Sequence, residues 1–395
     1  MGLQRRPTHN TTKRLHYSHD PLVHIFYSPE YGDDTPDFDT FRKPRWVAES
    51  LQVRPIPGVV LVRPEPLTAE QIQQVHDRQY VSALQTGEHL WLAETNGISW
   101  QPGVWRSVCA SSGGVVAAAL RAFRMGRHTG SLSSGIHHAR AGEGGPLCTL
   151  NAIAIAARLL LDRGANRILI IDVDAHCGGG TYSIVRDWKG VVHLDLSVSD
   201  LDAYEPEPGT PSSLDIVRDA SDYLPTLRRR LAALDEEPFD VVLYGAGVDC
   251  HEASGGLKGI EWHTLAEREQ TVFDWARRKG VSVALTLLGG YRSGELSEQA
   301  VARLHRLAIA AAAIANSGGP LEVNDIMETA STQHGTEGFS YDPAGHKSDA
   351  ALHAEMLGDD VAPWDIDGDA IADMTDAELK AYLARRDRLM GGGKA

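Results

Sequence analysis

Four short apolar runs stand out along the chain: Arg167–Asp172, Val191–Asp195, Asp240–Tyr244 and Val281–Leu285. They are continuous and rich in β-branched residues rather than alternating with polar ones, the pattern of strands covered on both faces. Between and around them, apolar residues recur at helical spacing near residues 104–125, 149–164, 213–235, 263–279 and 295–316. Strands alternating with helices predict a three-layer α/β fold around a central, mostly parallel sheet. Such sheets bind ligands beyond the carboxyl ends of their strands.

Composition adds boundaries to this picture. With 395 residues and 42% hydrophobic side chains, the chain can bury a large core. Its 38 basic and 53 acidic residues leave −15, which disfavours a general nucleic-acid binder and suits a cationic ligand. Residues 1–20 read as a polar, basic lead-in and 21–316 as the globular unit. The stretch 317–395 carries 16 acidic and 6 basic residues, a net of −10 and two thirds of the total, and reads as an acidic C-terminal extension. Within it, Thr375-Asp-Ala-Glu378 forms a capping box and predicts a short terminal helix to about Leu389. Asp365 to Asp376 has the outline of a calcium loop, but Ala370 stands where that loop needs glycine, so a solvated acidic segment is expected. No eighteen-residue apolar run exists, the first residues lack a signal-peptide core, and Arg6 is wrong for myristoylation. The scattered cysteines (Cys109, Cys148, Cys177, Cys250) form no C-x-x-C pair. A soluble cytoplasmic protein is expected, without nucleic-acid or membrane partners and with homo-oligomerisation left open.

The chemistry gathers at strand ends. Asp172-x-Asp174-x-His176 runs off the first predicted strand, and alternate residues of an extended chain point the same way. Asp249 ends another strand segment, Gly245-Ala-Gly-Val-Asp249. One histidine with two carboxylates leaves a position open for water, the arrangement of a catalytic zinc. A lone strand-end aspartate is usually a cap or a solvated acid; this combination is not explained that way. His137-His138 forms a tandem pair suited to acid–base work, and Leu288-Gly-Gly-Tyr291 places a phenol where it can stabilise an oxyanion. His193, inside a strand, reads as a core histidine, and His251 and Glu252 as rim residues.

In their order and spacing these motifs, with Leu147-Cys148-x-x-Asn151 between them, resemble the zinc-dependent histone deacetylase and acetylpolyamine amidohydrolase superfamily over roughly residues 21–316. The resemblance implies the arginase–deacetylase fold. It also implies zinc on Asp174, His176 and Asp249, with His137 and His138 as the acid–base pair and Tyr291 polarising an amide carbonyl. Asp172 would contact His137 and help hold a structural potassium ion, to which Asp195 and Leu196 would contribute. Leu147 would form one wall of the substrate channel with Gly289 and Gly290 beside it, and spacing alone places Tyr204 on the opposite wall. The implied reaction is hydrolysis of an N-acyl amide, with acetyl the expected acyl group, on acetyl-lysine, an acetylpolyamine or a related small amide.

The sequence also departs from that pattern. His-His-Gly-Asp/Asn-Gly is here His176-Cys-Gly-Gly179-Gly180, which leaves His138 without its usual orienting partner. Leu147 replaces an aromatic residue, and Ala253-Ser254-Gly255 replaces a Gly-Asp-Pro stretch. A dinuclear arginase-like site would need an acid at Gly178 and is not expected. The different class of reading is a catalytically impaired fold kept for binding or regulation, suggested by Gly179 alone.

Overall fold

Neighbouring positions on each central strand feed opposite layers. Ile168 and Ile170 join one apolar cluster with the helices Pro102–Met125 and Ala152–Asp162. Leu169 and Ile171 join another with Asp39–Val53, Ala220–Ala233, Trp262–Lys279 and Glu298–Ser317. Both sides of the sheet are thus covered, and each fully buried Leu or Ile contributes about 1.5–3 kcal/mol relative to an exposed one. The computed structural model describes residues 22–331.

The sheet comprises β1 (Val23–Phe26), β2 (Val59–Val62), β3 (Thr129–Ser131), β4 (Ile168–Asp172), β5 (Val191–Ser197), β6 (Ser213–Ile216), β7 (Val241–Ala246) and β8 (Ser282–Leu287). Its spatial order is β2-β1-β3-β8-β7-β4-β5-β6, and every pairing is parallel. The four strands expected from sequence are β4, β5, β7 and β8, and the long helices match the expected stretches, with one correction. The segment 213–235 is not one helix: Ser213–Ile216 is the edge strand β6, and the helix begins at Ala220, capped by the Asp219 side chain. Asp215 on that strand binds Arg229 and Arg230, so its charges are satisfied across the strand–helix corner. β1, β2 and β3, of three or four residues each, are too short to register as apolar runs.

The folded unit also continues past residue 316. Val323–Ala330 is a helix whose Ile326 and Ala330 are buried in the core, and Arg306 Nε donates to the Ala330 carbonyl at 2.9 Å. The charge balance that marks a boundary at 316 is an average dominated by residues further on. The polar lead-in, the calcium-loop-like segment and the expected terminal helix lie outside the described residues. Among the described residues no helix is long and apolar enough to cross a membrane, and all four cysteines are free and buried.

Candidate active site

β3, β8, β7 and β4 lie side by side in the sheet, and each hands one part of the candidate site to the same edge. His137 and His138 follow β3, Tyr291 follows β8, Asp249 follows β7, and Asp174 and His176 follow β4. Residues more than 150 positions apart in sequence therefore meet at one edge, the histidine pair on the long segment that joins β3 to the helix Ala152–Asp162.

Asp174, His176 and Asp249 present ligand atoms all within 4.8 Å of one another. His176 Nδ1 lies 3.1 Å from Asp174 Oδ1 and 3.3 Å from Asp249 Oδ2. The two carboxylates beside the ring raise the His176 pKa to about 10, so this cage draws positive charge. Asp249 Oδ2 is buried and makes no hydrogen bond of adequate geometry. A buried carboxylate oxygen without a donor is costly unless a cation meets it, and an Asp/His/Asp set has the donors that zinc prefers. The residues fit the metal. The other ligand lone pairs are held from behind: Gly289 N–H donates to Asp174 Oδ2 at 2.6 Å, and Ala175 N–H to Asp249 Oδ1 at 2.9 Å. Position 289 must be glycine, because a Cβ there would fall 2.0 Å from Asp249 Cγ.

The tandem histidines are pinned by the backbone around them. Asn151 caps its helix by accepting from Ala154 N–H, and its amide donates to the Ala139 carbonyl at 2.9 Å. Thr181 N–H donates to the His137 carbonyl at 2.9 Å. His137 Nδ1 meets Asp172 Oδ2 at 2.9 Å. Burial alone would depress its pKa, but the charges of Asp172 and Asp174 more than reverse this and raise it to about 10. Burial, then the charge on His137, pushes His138 the other way. The rings lie 4.0 Å apart between centroids, with their basicities pushed in opposite directions.

His138 is not unpartnered, contrary to the expectation from Gly179. Its Nδ1 meets Asp202 Oδ2 at 3.0 Å, the carboxylate arriving from the loop after β5. The aspartate expected at position 179 is absent because its space is taken: a Cβ at Gly179 would lie 2.2 Å from the Asp202 carbonyl oxygen. Tyr204 also departs from its expected place. Its ring stacks on Tyr182 (4.2 Å, 15°) and lies near-parallel to His193, whose Nδ1 is 3.1 Å from the Tyr204 hydroxyl. That puts its contacts on the Asp172–Asp195 side of the site. Buried aromatic hydroxyls seek a polar partner, and His193 provides one. His193 itself is fully buried, as expected.

Tyr291 is pushed well above the ordinary phenol range, by burial and then by the charges of Asp249 and Asp174, and so remains a donor. Lys43, not anticipated from sequence, lies 4.5 Å over the Tyr291 ring. It is fully buried and donates to the Leu288 carbonyl at 2.8 Å. Burial lowers its pKa to about 8 against the pull of Asp249 and Asp174. The only advance signal was a lysine on the apolar face of an amphipathic helix. Arg268 was likewise missed: fully buried, it pairs with Glu269 and donates to the Gly247 carbonyl at 2.7 Å, bracing the turn that carries Asp249. Asp172, the last residue of β4, is in register with Asp195 within β5, and burial followed by the charge of Asp172 holds the Asp195 carboxyl well above its usual range. Leu196 follows on β5, buried. Leu147 takes a left-handed backbone (φ 56°) with its N–H on the Asn96 carbonyl.

A parallel α/β sheet here carries at one edge a candidate Asp/His/Asp metal set, a carboxylate-paired histidine dyad and a phenol, the outline of a candidate metal-assisted hydrolase site. The comparisons give the family: residues 40–307 match the histone deacetylase domain, and the chain belongs to that family. It is 31% identical over 291 residues to an uncharacterised protein of Picosynechococcus, covering 68% of this chain and 91% of that one. It is 28% identical over 218 residues to acetylpolyamine amidohydrolase 2 of Pseudomonas aeruginosa, covering 46% of this chain and 60% of the relative. Among solved structures, acetylpolyamine aminohydrolase from Burkholderia pseudomallei aligns with a TM-score of 0.61 at 15% identity, covering 73% of this chain and 98% of that one. The HD domain of HDA15 aligns with a TM-score of 0.58 at 18% identity, covering 78% and 94%. At these identities the structural matches speak for the fold.

Proposed function

We propose that this chain is a zinc-dependent amidohydrolase that removes an acyl group, acetyl by preference, from an amine. The observation that carries this reading is the convergence of Asp174, His176 and Asp249 with a histidine pair of unequal basicity on one sheet edge. Relatives named as deacetylases and amidohydrolases support it. The net charge of −15 suits a cationic amine such as a lysine side chain or a polyamine.

Zinc, when bound, supplies a Lewis acid and a more acidic water at neutral pH. Asp174, His176 and Asp249 would hold it. The chain's own groups then divide the proton work. His138, neutral and with Nδ1 committed to Asp202, offers its Nε2 lone pair to accept a proton from water. His137, charged through Asp172, has Nε2–H available for the departing amine. The Tyr291 hydroxyl donates to the carbonyl oxygen as negative charge builds there. Asp172 and Asp195, two neighbouring buried carboxylates, would share a potassium ion with the Leu196 carbonyl, which would relieve their mutual repulsion. The impaired-fold reading rested on a missing partner for His138, and Asp202 removes that ground.

The test is a turnover panel of acetyl-lysine peptides against acetylated diamines and polyamines, with metal content measured on the same sample. Release of acetate with about one zinc per chain is the expected result. Full zinc occupancy with no turnover on any acyl amide would sink the proposal.

A further inference from the structure

We propose that Asp202 is the positioning residue of the general base: it fixes His138 as the Nδ1–H tautomer and leaves Nε2 free to take a proton. The inference deepens the amidohydrolase reading and rests on it for the word "base", though not for the tautomer. An ionised carboxylate can only accept, so the 3.0 Å contact between Asp202 Oδ2 and His138 Nδ1 requires the ring to donate there. Both partners are withdrawn from water, with 5% and 10% of their side chains exposed, so the bond is little screened.

The surroundings hold the carboxylate in place. Oδ2 also accepts Gly180 N–H at 3.0 Å, while Oδ1 takes the Arg140 guanidinium, whose other nitrogen donates to the Gly179 carbonyl at 3.0 Å. The loop carrying Asp202 is laced to the metal-ligand segment. Val198 and Ser199 N–H groups donate to the Ala175 carbonyl, and Cys177 N–H donates to Leu201. Asp202 itself is held at φ 63°, a left-handed conformation that is unfavourable for a non-glycine residue. Strain of that kind persists where surrounding contacts over-determine it, and here they aim one carboxylate at one ring nitrogen. Gly179 completes the device, since any side chain there would meet the Asp202 backbone and carboxylate. Glycine at 179 and aspartate at 202 therefore form one unit, with the orienting group delivered from the β5 loop.

The experiment uses the full-length, zinc-loaded protein labelled with 15N-histidine. His138 resonances are identified by their loss in His138→Gln. Wild type should show His138 as the Nδ1–H tautomer, Asp202→Asn should preserve it because the amide oxygen still accepts, and Asp202→Ala should lose it. On an acetylated amine, Asp202→Ala should lower kcat by on the order of 10²-fold with KM within a few-fold, by analogy with removing an orienting partner of a site histidine. Asp202→Asn should recover most of that loss, and zinc content should stay near one equivalent in all three proteins. A His138 ring protonated only at Nε2 in wild type would overturn the proposal without any variant. So would an Asp202→Ala protein with unchanged kcat, or one whose loss merely follows lost zinc. Wild type inert toward every amide would instead fail the functional reading, leaving the tautomer measurement to judge Asp202.

Discussion

The two histidines of the pair occupy adjacent positions, yet they are supported in different ways. His137 is held by Asp172, the last residue of a central strand; His138 is held by Asp202, a loop residue with left-handed backbone. A strand end is fixed by ladder hydrogen bonds and by packing on both faces, so Asp172 cannot drift without disturbing the core. Asp202 depends instead on a handful of polar contacts that include Arg140, whose side chain is 40% exposed. The comparison teaches that a site can take equivalent hydrogen bonds from supports of unequal rigidity. Basicity follows the same division: the charges of Asp172 and Asp174 raise His137, whereas burial and then the charge on His137 lower His138 despite Asp202 and Asp174.

The largest break is expected on the strand-borne side. Asp249→Ala removes a metal ligand already short of donors, and metal and turnover should be lost together; full zinc occupancy in that variant, read by elemental analysis, would refute the ligand set. Tyr291→Phe removes a donor used mainly when charge builds on the carbonyl oxygen. Turnover should fall on the order of 10²-fold, with KM nearly unchanged, and near-normal turnover would reduce the phenol to packing.

Asp172→Asn should act more subtly, costing about 10- to 100-fold, because an amide still holds the ring but no longer its charge. Since Asp172 raises the His137 pKa, its loss should move the alkaline limb of the pH–rate profile to lower pH. An unmoved limb would mean that another group limits activity there. On the loop side, Gly179→Ala places a methyl 2.2 Å from the Asp202 carbonyl and must push the loop outward. Turnover should drop by roughly 10-fold while zinc content holds, the smaller effect reflecting a loop that can partly give way. Unchanged turnover would show that the Asp202 loop is not tightly placed.

The same contrast explains what could be read from sequence. Asp172, Asp174 and His176 lie within one extended run, and Asp249 ends another, so alternation and strand ends made them visible together. The parallel sheet was legible because β4, β5, β7 and β8 are continuous apolar runs; β6 was hidden because Ser213–Ile216 is a half-polar edge. Asp202 could not be found by spacing, since its role arises from a loop folding back over Gly179, and no local pattern encodes that return. Lys43, Arg268 and Glu269 were hidden for a related reason. Charged residues on amphipathic helices are read as solvent-facing, and only the tertiary fold shows these three buried. The placement of Tyr204 failed because spacing cannot say which of several partners an aromatic hydroxyl will choose.

The smallest effect separates the charged histidine of the site from the neutral histidines of the scaffold. His76, His128 and His193 are each pushed by burial to a pKa of about 4. His76 Nε2 accepts from Asn151 N–H at 3.0 Å, and His128 Nδ1 from Val283 N–H at 3.1 Å, so protonation would also break a hydrogen bond. Their folded values lie below the ordinary histidine value of about 6.5. Between those limits the unfolded chain binds protons that the folded chain refuses, so stability falls as pH falls from about 6.5 toward 4. Each such histidine contributes a slope of up to about 1.4 kcal/mol per pH unit within that window. His128 packs edge-on to Phe273, away from the metal ligands, which makes it the cleanest probe. His128→Asn keeps an acceptor for Val283 but cannot titrate, so the fall in unfolding free energy between pH 6 and 5 should shrink by on the order of 1 kcal/mol. Urea titrations at the two pH values measure it. An identical slope in wild type and variant would mean that His128 takes up its proton in the folded state, and that the division between charged site and neutral scaffold does not hold there.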